Sequence, residues 1–120
     1  MAEPRSHRIL ALLSRAPDEP QGDTRTGIEL TVCLNARGQL DPTACLETTA
    51  RVRRFWRDRP DWQGTLQRLD DDRWGLQAAT NPDEPLRELD TPVMRPGEYL
   101  TLRRPNGEEL VFRIVSVEPA

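Results

Sequence analysis

The run from Glu98 to Glu118, "EYLTLRRPNGEELVFRIVSVE", restricts the fold more than any other stretch. Two apolar-alternating segments bracket Pro105–Asn106–Gly107–Glu108. Asn-Gly is a strong hairpin signal, because a type I′ turn needs positive φ at both central residues. The second arm carries Leu110, Phe112 and Ile114 on one side, and Val111, Val115 and Val117 on the other, with Arg113 interrupting. A strand apolar on both sides belongs inside a sheet. A hairpin of this kind has the look of part of a small barrel or curled sheet, and its strands supply much of the expected core.

Other segments extend the antiparallel pattern. "GIELTVCLN" sets Ile28, Leu30, Val32 and Leu34 against Glu29, Thr31 and Cys33, the signature of a strand with one buried face. "NARG" (Asn35 to Gly38) reads as the turn that follows. "DWQGTLQRLD" and "RWGLQAAT" flank Asp70–Asp71–Asp72, and Trp74, Leu76 and Ala78 alternate with their neighbours, which predicts a second hairpin. "NPDEPLRELDTP" (Asn81 to Pro92) is polar and bears prolines, so it reads as a loop.

Two segments carry helical spacing instead. In Ser6 to Ala16 the apolar residues fall at 9, 10, 12, 13 and 16, with Ser6 as an N-cap. "PDEPQGDTRTG" then reads as a linker, so residues 1–26 are expected to form a flexible arm that either docks on its own domain or lays Ile9, Leu12 and Leu13 in a partner's groove. From Asp41 to Pro60, Asp41 caps, Pro42 suits the first turn and Pro60 stops the run. A helical wheel puts Cys45, Thr48, Thr49, Val52, Phe55 and Trp56 on one side, and Arg51, Arg53, Arg54 and Arg57 on the other. Arginines in the last turns complement the helix dipole. The expected fold is therefore α+β. One main helix packs on a mostly antiparallel, barrel-like sheet of about five strands, with residues 27–120 as a single domain.

Composition narrows the function classes. All 17 basic residues are arginine, yet the 20 acidic residues leave a net charge of −3. A duplex binder usually carries a basic excess. The two cysteines, Cys33 and Cys45, form no CxxC pair and read as reduced thiols, and no apolar run approaches the roughly 20 residues of a membrane helix. Cytoplasmic placement with no membrane contact is the expectation. The single histidine, His7, falls in the expected arm, where a base or metal ligand would lack a rigid surround. The three consecutive aspartates lack the spaced ligands and glycine of a calcium loop. Phosphate-loop, GxSxG and HExxH patterns are absent from the sequence.

The expected function is a non-enzymatic interaction module without cofactor. It engages a protein partner through Ile9, Leu12, Leu13, Arg51, Arg53, Arg54 and Arg57. One alternative is nucleic-acid binding through the arginines of 51–59, joined by Arg103 and Arg104. The other is an acidic inhibitor or immunity-type protein using the stretch Asp70 to Asp90.

Overall fold

The computed structural model describes residues 5–17, 19–40, 50–56, 60–68, 73–78, 87–90 and 93–120. Within them the chain forms eight strands: β1 Arg5–Arg15, β2 Asp23–Leu34, β3 Arg51–Phe55, β4 Trp62–Arg68, β5 Arg73–Ala78, β6 Arg87–Asp90, β7 Tyr99–Arg103 and β8 Glu109–Pro119. Each pairs antiparallel with the next, and β8 returns to pair with β1, so the sheet is a closed barrel of up-and-down order. Closure leaves every strand with two neighbours and removes the exposed edges of an open sheet.

The α+β expectation is thus overturned: among the described residues there is no helix. The expected arm is β1, paired over most of its length with both β2 and β8. The C-terminal part of the expected main helix is β3, while residues 41–49 and 57–59 lie outside the described residues. The expected number of about five strands becomes eight.

Alternation accounts for the core. Ile9, Ala11 and Leu13 from β1 meet Ile28, Leu30 and Val32 from β2, and Leu110, Phe112 and Ile114 from β8, all in one buried cluster. Val52, Leu66, Leu76, Leu89, Leu100 and Leu102 complete it from the shorter strands. An eight-stranded barrel is just wide enough for such side chains to fill it. Trp74, Leu76 and Ala78 face inward, as their spacing predicts.

Two bulges explain why both long segments looked ambiguous. In β8 the register passes from Leu10↔Ser116 to Ala11↔Ile114, leaving Val115 as the extra residue, 43% exposed. The extra residue shifts the phase, so Val117, paired with Ile9, packs against the core although Val115 does not. In β1 a second shift between Leu13 and Arg15 lets Ala16 follow Ile9, Ala11 and Leu13 into the core. A strand broken this way spaces its apolar residues much as a helix would.

The β7–β8 hairpin is where the sequence places it, with a different turn. The Gly107 N–H donates to the Arg104 carbonyl at 2.9 Å, which puts Pro105 and Asn106 at the centre. Proline fixes φ near −65°, so a type I′ turn is impossible there. Gly107 follows with φ 91°, the left-handed position that closes a longer hairpin loop. Asn35–Gly38 repeats the bond, with the Gly38 N–H on the Asn35 carbonyl at 3.0 Å.

Candidate interaction face

Strand alternation divides the arginine cluster that the wheel had gathered. Val52 and Arg54 point into the barrel, while Arg51, Arg53 and Phe55 point out. Cross-strand register then builds two rows on the outer surface of β2, β3 and β4. Glu29, Arg53 and Gln63 form one row; Thr31, Arg51 and Thr65 form the other. Together they line a groove of about 410 Å³, with Val52 and Gly64 contributing to its lining from inward-facing positions.

The two outward arginines differ electrically. Arg53 donates to Asp61 at 2.8 Å and stands 3.7 Å from Glu29. The hydrogen bond to Asp61, the largest cause, and the nearby Glu29 and Asp61 charges hold its guanidinium above its ordinary pKa against a smaller effect of burial. It also lies over the Phe55 ring at 5.0 Å. Arg51 is exposed, and among the described residues it makes no ion pair. Its row neighbours, Thr31 and Thr65, offer hydroxyl groups to either side.

An apolar strip borders this groove. Gly27 pairs with Phe55 on one side and Leu12 on the other. A Cβ at Gly27 would stand 2.6 Å from the Phe55 ring and 3.2 Å from Leu12, so glycine is what lets the ring come this close. Leu12 and Phe55 are therefore neighbours on the outer wall, a contact that no sequence spacing announced.

The remaining nominated residues lie elsewhere. Ile9 is fully buried and Leu13 nearly so, both inside the barrel. Arg54 is 2% exposed, and its guanidinium lies 4.4 Å from the Trp56 ring. Its cross-strand partner is Trp62, over which Arg87 sits at 5.3 Å. The inward-facing end of the barrel at the β3–β4 connection is thus built from stacked cations and indoles. Arg57 lies outside the described residues.

Arg103 and Arg104, nominated for nucleic acid, are engaged within the chain. Arg103 reaches Glu88 at 3.2 Å and Asp90 at 3.3 Å, and Asp90 is the main reason its pKa is raised. Arg104 holds Glu108 at 3.0 Å. Of the acidic stretch nominated for an inhibitor, residues 70–72 and 79–86 lie outside the described residues, while Glu88 also meets Arg73 at 3.5 Å.

The thiols depart from expectation: Cys33 is disulfide-bonded, and the chain has one other cysteine, Cys45. Among the described residues no three His, Cys, Asp or Glu side chains come together as metal ligands. His7 is a half-buried strand residue between Val32 and Pro119. Comparison with protein-family models, with curated proteins and with solved structures gives no match.

Proposed function

We propose that the protein is a non-enzymatic interaction module that binds a protein partner on the outer face of β2, β3 and β4. The observation that carries this reading is the division between inside and outside. Among the described residues the interior holds one cluster of aliphatic and aromatic side chains with Arg54 buried at one end, while a polar groove bordered by Leu12 and Phe55 opens on the outer wall. Polar hydrogen-bonding groups beside an apolar strip are what a modest protein interface uses.

Nucleic acid is the weaker reading. The arginines of β3 are split between two faces, and Arg53, Arg103 and Arg104 each hold carboxylates of the same chain. Phosphate binding needs cations that remain available to the backbone. The outward rows also support a barrel that works in water. A membrane-spanning barrel places apolar residues outside and polar ones within, the reverse of the arrangement here. The Cys33 disulfide supports an oxidising compartment in place of the cytoplasm that the sequence suggested.

The test is a photo-crosslinking residue placed singly at Thr65 in the groove or at Val111 on β8, across the barrel. Expressed in the native cell, the Thr65 form is expected to give a discrete protein adduct that the Val111 form does not. Equal adducts from both positions, or adducts from Val111 alone, would refute the assignment of the face.

A further inference from the structure

We infer that the groove takes a carboxylate carried on an extended segment of the partner protein, with Arg51 as its charged contact. This rests on the reading of the β2–β4 face as the interaction surface and names the chemistry it recognises.

Three observations lead there. First, Arg51 and Arg53 sit two residues apart on one strand, about 6.6 Å along the chain, yet only Arg53 is neutralised. Asp61 at 2.8 Å and Glu29 at 3.7 Å hold Arg53, while Arg51 has no carboxylate among the described residues. Second, the register places Thr31 and Thr65 directly beside Arg51 and Gln63 in the next row, so hydroxyl and amide donors surround the available guanidinium. A planar guanidinium flanked by such donors suits the two oxygens of a carboxylate. Third, the groove measures about 410 Å³, room for a few side chains rather than a large ligand.

The geometry also sets the approach. Each strand of the closed barrel pairs with a neighbour on both sides among the described residues, so a partner on this face binds across it through side chains. Arg53, already held by Glu29 and Asp61, offers no second contact for an acid. The charged contact is therefore one carboxylate at the Arg51 end, with the rest of the segment running toward Phe55 and Leu12.

The experiment is an amide-resolved NMR titration of the full chain, disulfide intact, with three probes: blocked tetra-glutamate, blocked tetra-glutamine and decathymidylate. Tetra-glutamate is expected to shift the amides of Thr31, Arg51, Gln63 and Thr65. Arg51→Gln should weaken that response about fivefold, and Arg51→Lys, which keeps the charge but loses the planar fork, should fall between Arg51→Gln and the unaltered chain. Arg113→Gln, on β8, should leave it unchanged. Added salt should weaken binding, as for any exposed charge contact. Equal shifts from tetra-glutamine would overturn the carboxylate assignment while leaving the groove as a peptide site. Groove shifts from decathymidylate but not from tetra-glutamate would overturn both the carboxylate and the protein partner. Groove amides that move with none of the probes would overturn the inference.

Discussion

Replacing Ile9 by alanine tests the barrel more directly than any other single change. In the structure Ile9 is fully buried, paired with Leu30 on one side and Val117 on the other. A docking segment on a tether would leave the same residue in water. Alanine removes three carbons, which at about 0.8 kcal/mol per buried methylene amounts to about 2.4 kcal/mol. The space left beside Leu30 relaxes only in part, so the full cost is about 3–4 kcal/mol. Leu12→Ala is the internal control. Leu12 is half-buried on the outer wall against Gly27 and Phe55, so its loss should cost less than about 1.5 kcal/mol. Equilibrium urea unfolding followed by tryptophan fluorescence, with the disulfide oxidised, measures both. Ile9→Ala should also lower Tm by roughly 10–20 °C in a chain of this size. If Ile9→Ala costs under about 1 kcal/mol, no more than Leu12→Ala, then β1 is not part of the core and the barrel is wrong.

Phe112→Ala, at a fully buried position paired with Leu13 and Leu100, should cost about 3–5 kcal/mol in the same urea assay; near-wild-type stability would contradict its place in the core. Gly107→Ala should cost about 1–2 kcal/mol from backbone strain alone, since φ is 91° and a Cβ there meets nothing within 4 Å. A neutral Gly107→Ala would show that the turn readily takes another form. Denatured, unreduced protein should show no alkylation at Cys33 by mass spectrometry, and full alkylation after reduction; a thiol that reacts before reduction would contradict the bond.

Much of the sheet was legible because its strands keep a two-residue period. Ile28 to Val32, Trp74 to Ala78 and Leu110 to Ile114 keep the burial that their alternation says, although Cys33, expected on the polar side, is buried, and the hairpins flanking Asp70–Asp72 and Asn106–Gly107 stand where the turn residues put them. What misled lies at the departures from that period. In β1, Leu10 and Leu12 are apolar but outward, and the bulge before Arg15 brings Ala16 inward; the combined spacing of 9, 12, 13 and 16 is that of a helix. In β3, Val52, Phe55 and Trp56 mimic helical spacing. The alternative, strand alternation, requires Arg54 to share the inner face with Val52. A binary pattern rejects a buried arginine, and stacking on Trp56 helps to make the position tolerable. The bordering contact of Leu12 with Phe55 passes over Gly27 between strands that are far apart in sequence, and no local signal encodes it.

The same alternation reaches into function. Five arginines between 51 and 59 read as one basic surface while they sit on a helix wheel. As a strand, residues 51 to 54 send one arginine into the barrel, neutralise a second on Asp61 and Glu29, and leave Arg51 to face solvent. A polyanion gains from many phosphates contacting many cations, and its affinity falls steeply as that number drops. One available guanidinium among the described residues of β3, set among threonines and a glutamine, gives little of that gain, but it is enough to favour a segment with a carboxylate over one without. Two consequences follow from one period of two residues. The helix gives way to a strand, and the reading we propose moves from a nucleic-acid surface toward a selective contact with a protein.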